Sequence, residues 1–374
     1  MKKLFTFSIV ILILLVVFWI SYNLVFKGVS TDKIESTSED GGGVLSLISD
    51  KKESEIIYRL SSTAAISPEV DAEERRIIFY DKLNNAFKVI NFDGSQESEL
   101  VDKFLPKFNE VFWATNKTSV IGRADDGFYS YSIESRKIDK IKDNVDNVVW
   151  ANLSNKILYK YYSSDVEERT LNISNPDGSN WKKIADLEYK DISIAPVPQT
   201  SMISYWNYPD KNISSELKLV SVVGEDAEVI MSGKFGADYL WSPDGSRLLM
   251  SFVSSDGKNL NLAVANSAGQ ASRELNIPTM VSKCVWSSDN ENIFCALPSN
   301  ISGDTLMPND YQKGTFLSKD TFWKINIEDG RKSRVVDIED ISDVYDASDL
   351  LLSPREDMLF FINRYDENIY RIGL

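Results

Sequence analysis

Apolar and polar positions follow two different patterns along this chain. Leu4 to Phe26 run for 23 residues without a charge. A helix rising ~1.5 Å per residue would reach roughly 34 Å over that run, enough to span a bilayer. Beyond it, apolar residues come in runs of about six, separated by turn residues, which is the habit of short strands. The long run exceeds the apolar core of a cleavable signal peptide, and Gly28-Val29-Ser30 fits a small-x-small cleavage site only weakly. The expected elements are a cytoplasmic tip and transmembrane anchor over 1–27 and a flexible tether over 28–54, with three consecutive glycines at 41–43. A large domain over 55–374 follows. Lys2, Lys3 and the amino terminus favour a cytoplasmic N-terminus, which places the large domain outside the cytoplasm in a bacterial envelope.

Within 55–374 the turn Trp241-Ser242-Pro243-Asp244-Gly245 marks a repeat. Related copies begin at Ile66, Trp113, Trp150, Ile194, Trp286 and Leu352, each a large apolar residue followed by Ser or Ala. An apolar strand follows each copy, such as "RLLMSF" or "MLFFI". A second strand then runs to a Gly turn, as at Asn91-Phe92-Asp93-Gly94 or Asn175-Pro176-Asp177-Gly178, where glycine supplies the positive φ. Four short strands in about 45 residues make one propeller blade. The fold class is all-β: a seven-bladed β-propeller, with six or eight blades as alternatives, preceded by one transmembrane helix.

The Trp-Ser-Pro-Asp-Gly repeat resembles that of TolB-like propellers and of the propeller domains of prolyl-oligopeptidase-like proteins, over about residues 55–374. The resemblance implies a central channel, a surface that such proteins often use to bind other proteins. It carries no activity across. The Gly-x-Ser-x-Gly nucleophile motif of the peptidase relatives is missing here, and so is histidine.

The last copy leaves room for three strands, whereas Glu55–Leu60 precedes the first copy. The N-terminal strand is therefore expected to complete the last blade and remove an exposed sheet edge. The zero histidine count excludes Ser-His-Asp and His-ligated metal chemistry, and two cysteines are too few for a thiolate site. No catalytic residue, cofactor or metal is assigned, and the chain is expected not to be an enzyme. A formal net charge of −15 argues against nucleic acid as a partner. The expected partners are the lipid bilayer, through Leu4–Phe26, and a protein at the propeller face.

Residues 298–320 lengthen the sixth copy by about 20 residues, and long loops on rigid scaffolds often carry function. Asp304, Asp310, Tyr311, Lys313 and Phe316 are its candidate binding residues. Replacing the insertion is expected to leave folding largely intact. Stepping outward from Trp286 and Ile293 sets Cys284 opposite Cys295, so the pair is expected to form a disulfide outside the cytoplasm. The leading functional reading is a membrane-tethered protein-binding or scaffolding module of the envelope. The alternative is a carbohydrate-binding or glycoside-processing propeller that uses carboxylates at the channel mouth. A purely structural subunit is a third reading.

Overall fold

The computed structural model describes residues 56–101, 106–224 and 226–374. The expected anchor and tether lie outside these residues. Among the described residues, no helix is long and apolar enough to cross a membrane.

The described chain is an all-β, propeller-like fold of antiparallel strands. Five sheets have four strands each and a sixth has seven. The first sheet sets the pattern, with Ala65–Asp71, Arg76–Asp81, Ala86–Asn91 and Ser98–Val101 lying side by side in chain order. The seven-stranded sheet repeats this pattern twice through one shared element. Strand Glu228–Trp241 pairs by its first half with Ser214–Ser221 and by its second half with Arg247–Val253. The C-terminal sheet is Ala347–Leu352, Met358–Asn363 and Asn368–Gly373, completed by Ile57–Arg59 from the other end of the domain. Ile57 pairs with Ile372 and Arg59 with Tyr370. The Ser61 hydroxyl continues the seam by accepting the Ile369 N–H at 2.9 Å.

Register locates the repeat more closely than sequence does. The first hairpin of each unit closes on a pair seven residues apart: Val70 with Ile77, Trp113 with Val120, Trp150 with Ile157, Pro196 with Ile203, Trp241 with Leu248, Trp286 with Ile293 and Leu352 with Leu359. Two of the copies read from sequence are therefore displaced. The first belongs at Val70, not Ile66, and the fourth at Pro196, not Ile194. Ser67-Pro68 imitates the turn but lies inside a strand, where pairing slips between Ile66 and Glu69 and Ser67 takes φ 50°. Such a bulge tolerates proline because the local ladder bond is already lost. In the fourth unit the turn itself is Val197-Pro198-Gln199-Thr200, with the Val197 N–H bonded to the Met202 carbonyl at 3.0 Å.

In the most regular turn, the Ser242 hydroxyl donates to Asp244 Oδ1 at 2.7 Å and accepts the Arg247 N–H at 3.0 Å. Gly245 has φ 70°, and a Cβ there would lie 2.4 Å from the Pro198 carbonyl oxygen. Glycine is thus required twice, for the left-handed backbone and for close approach to the neighbouring turn. Buried apolar residues fill the spaces between neighbouring sheets. One such cluster joins Ile78, Tyr80 and Phe87 of the first unit to Phe108, Trp113 and Val120 of the second.

Candidate functional site at the capped channel mouth

The hairpin register also indexes the bore of the propeller. The residue just before each hairpin position is Glu69, Phe112, Val149, Ala195, Leu240, Val285 or Leu351. All seven are partly buried, and six are apolar. Two residues earlier stand Ser67, Glu110, Asn147, Ser193, Asp238, Lys283 and Asp349, all polar or charged. The inner strands thus carry an apolar collar toward their hairpin ends and a polar ring beyond it.

The 298–320 insertion packs as a cap over the mouth nearer the polar ring. It carries a short helix, Asn309–Gln312. The Asn309 amide donates to Asp210 Oδ2 and accepts the Lys211 N–H, both at 2.8 Å, and Gln312 donates to the Pro209 carbonyl at 3.1 Å. Met307 and Tyr311 bury themselves against Val253 and Met280, with Phe316 packed alongside. A tyrosine hydroxyl in such a place needs a partner, and Tyr311 finds Asp346 Oδ1 at 3.1 Å.

Asp346 sits at the centre of a buried charge network. Lys283 Nζ lies 2.8 Å from Asp346 Oδ1 and 2.6 Å from Asp320 Oδ2, and donates to the Ala347 carbonyl at 2.8 Å. Arg364 reaches Asp346 Oδ2 at 3.2 Å and lies over the Tyr311 ring, 4.0 Å from its centroid. The Ser318 hydroxyl adds a bond to Asp346 at 2.7 Å. Burial works against the Asp346 carboxylate, but Lys283, Ser318 and Arg364 outweigh it and hold its pKa below the ordinary value. Burial likewise opposes the Lys283 charge, which Asp320, Tyr311 and Asp346 more than offset.

Beneath the cap is a cavity of about 280 Å³ whose lining includes Tyr208, Asp238, Ser251, Met280, Tyr311 and Arg364. Asp238 touches this space from deep within the ring. It accepts the Tyr239 N–H at 3.1 Å and the Trp206 indole N–H at 3.2 Å. Burial pushes its carboxyl up to about 6, against those two bonds. Burial also pushes the Tyr311 phenol up to about 12. A carboxyl that titrates near 6 can give and take a proton under ordinary conditions.

The insertion residues named from sequence divide. Tyr311 lines the cavity, whereas Phe316 holds the cap to the body. Asp310 braces the cap from within, accepting the Leu306 N–H at 2.8 Å. Asp304 and Lys313 are exposed. Cys284 and Cys295 pair directly across two strands and are joined by a disulfide, with Cα atoms 4.1 Å apart. Sequence reasoning missed Asp238, Arg364, Tyr208 and Lys283. For Asp238 and Lys283 a signal existed, since each stands three residues before a motif Trp, at Trp241 and Trp286.

No protein-family model matches the sequence, and neither does any curated protein. Solved structures do. An oligogalacturonate lyase from Vibrio parahaemolyticus is 12% identical with a TM-score of 0.61, covering 85% of this chain and 93% of its own. An oligogalacturonate lyase in complex with manganese is 10% identical with a TM-score of 0.59, covering 85% and 90%. The β-propeller domain of Cps50 (Swd1) from Myceliophteria thermophila is 8% identical with a TM-score of 0.55, covering 85% and 99%. TolB from Acinetobacter baumannii is among the matches as well. The shared feature is the β-propeller fold.

This corrects the expectation that the chain is not an enzyme. The structures it matches include lyases on the same fold. Lack of histidine removes one kind of acid–base group, but Asp, Tyr and Arg also move or stabilise protons and charge. At such identities the likeness carries fold and not substrate. Manganese does not fit what is present here. Among the described residues no group of three or more His, Cys, Asp or Glu could hold a metal ion, so no step is derived through one.

Proposed function

We propose that the chain is a seven-bladed propeller, tethered to a membrane and lying outside the cytoplasm, which binds and processes a saccharide beneath its cap. Counting Glu228–Trp241 in both of its units supports seven blades. The Cys284–Cys295 disulfide supports an oxidising compartment. The observation that carries the reading is Asp238, with its carboxyl raised to about 6 beside a cavity of about 280 Å³.

The cavity offers what sugar recognition uses. Tyr208 supplies an aromatic face, the Ser251 and Ser348 side chains supply hydroxyls, and Arg364 supplies a fixed cation. Asp238 in its protonated form donates to the leaving glycosidic oxygen while water takes that oxygen's place on the sugar carbon, the proton that water releases restores the Asp238 carboxyl through solvent, and Arg364 meets negative charge on the substrate. Oligogalacturonate is the first substrate to test.

The test uses full-length protein in detergent, with glycan-array binding and turnover of acidic and neutral oligosaccharides. Asp238→Asn should abolish turnover and spare binding. Absence of any glycan binding, or unchanged turnover in that variant, overturns the reading. The tether is tested separately. Full-length protein should resist carbonate extraction from membranes, and mature protein beginning near Thr31 would count against the anchor.

A further inference from the structure

The other mouth of the bore, toward the hairpin turns, has different chemistry. A cavity of about 460 Å³ opens there, lined by Val111, Phe112, Val149, Leu351, Glu69 and Asp349 among others. Its walls are the apolar collar. Two carboxylates interrupt them, and one is already satisfied, since Glu69 pairs with Lys117 at 2.6 Å. Asp349 is not so placed. Its hydrogen bond is from the neighbouring Ser348 hydroxyl at 2.9 Å. Arg364 hydrogen-bonds Asp346 and the Tyr311 carbonyl, not Asp349. Asp349 is exposed to solvent through the bore, and loss of hydration inside the ring raises its pKa, with Glu69 adding to the effect and Ser348 and Arg364 opposing it. It also stands at φ 50° on a bulge between Ser348 and Leu351. A carboxylate with one weak partner, held on left-handed backbone and stripped of part of its hydration by the surrounding ring, costs stability, and residues kept under such terms tend to serve binding or catalysis.

We infer that this mouth binds one lysine side chain presented by a protein partner, with the ammonium on Asp349 and the alkyl stem in the collar of Phe112, Val149 and Leu351. Asp349 lies two residues inside the collar, about 7 Å along a strand, a depth that suits an extended lysine stem. The stem buries apolar surface while its charge finds the carboxylate. The net charge of −15 favours approach of a basic partner. The site lies apart from the capped cavity and does not depend on the saccharide reading.

The test is saturation-transfer NMR on full-length protein with a pentapeptide carrying one central lysine. The same peptide with Nε-acetyllysine is the control. The lysine peptide should bind and the acetylated one should not. Asp349→Asn should weaken binding at least about tenfold, while melting at or above the wild-type temperature, because asparagine accepts left-handed backbone and carries no charge to be desolvated. Asp238→Asn should leave lysine binding unchanged, which separates this site from the saccharide cavity. Equal binding of the acetylated peptide, indifference to Asp349→Asn, or no binding at millimolar peptide overturns the inference.

Discussion

The indole nitrogen of Trp150 donates to the carbonyl oxygen of Phe112 at 2.7 Å, tying one inner strand to the preceding one. Trp286 does the same to Leu240 at 3.3 Å, and Trp113 to Ser67 at 2.8 Å. At these three positions the motif tryptophan is therefore more than ring volume between sheets, because it also ties neighbouring inner strands, whereas Trp241 donates to the Ser204 hydroxyl at 2.9 Å. Trp150→Phe keeps most of the ring and deletes the donor. It should cost about 1 kcal/mol, measured by urea unfolding at constant slope. A loss below about 0.3 kcal/mol would show that the bond contributes nothing beyond packing.

Lys283 is a charge with no access to solvent. It is fully buried between Asp320 and Asp346, and its removal strands Asp320, while Asp346 keeps Arg364. Lys283→Met should cost about 3–5 kcal/mol. Adding Asp320→Asn should restore part of the loss, since it removes one uncompensated charge. The pKa of Lys283 is raised in the fold. Its contribution is thus full below the ordinary lysine value of 10.5 and fades only as pH rises through the higher folded value. A double variant no more stable than Lys283→Met would refute the charge-compensation account.

Asp238 carries the opposite sign. Its folded pKa of about 6 exceeds the ordinary carboxylate value of 3.8, so the fold favours the neutral form. Below pH 3.8 both states hold the proton and there is no penalty. Between about 4 and 6 the unfolded chain ionises first and stability falls. Above 6 the penalty is constant. Asp238→Asn should therefore match wild type near pH 3.5 and become progressively more stable than it up to pH 6. Parallel stability curves for the two proteins would mean that Asp238 is not held in an ionisation-averse site.

Gly245 tests the turn geometry. Alanine there must adopt φ near 70° and place its Cβ against the Pro198 carbonyl. Left-handed backbone alone costs roughly 1–2 kcal/mol, and the contact adds to it. Gly245→Ala should lower stability by more than about 2 kcal/mol. Gly233→Ala is the comparison, because its φ is 86° but nothing stands within 4 Å of the added Cβ. Equal losses in the two variants would remove the close approach from the explanation.

What was legible in the sequence was whatever a short local pattern encodes. Trp113, Trp150, Trp241 and Trp286 each combine a large ring with a following turn, and each falls at its hairpin position. Val70 and Pro196 lack the ring, so nearby small-Pro pairs drew the alignment two to four residues away. The channel-mouth site is non-local. Tyr208, Asp238, Tyr311 and Arg364 come from four separate segments, and only closure of the ring brings them to one cavity. The raised pKa of Asp238 arises from burial, which no neighbouring residue in sequence announces.

The cap supplies the last prediction. Read as sequence, 298–320 is a detachable loop whose replacement should spare folding. The structure shows a packed element instead. Met307 is 1% exposed and Tyr311 8%, and Asn309 and Gln312 reach the Tyr208–Lys211 turn. Replacing 299–317 with a short Gly-Ser turn would uncover Val253 and Met280 and take the Tyr311 hydroxyl from Asp346. Burial of two large side chains is worth about 3–6 kcal/mol, whereas shortening the loop returns less than about 1 kcal/mol of closure entropy. The replacement should therefore keep the strand content seen by far-ultraviolet circular dichroism but melt several degrees lower. Tyr311→Phe separates the terms by keeping the ring and deleting the bond to a charged acceptor, at about 1.5–3 kcal/mol. If the shortened protein melts with wild type, the cap is an independent decoration, and the enclosed cavity beneath it has no role in stability.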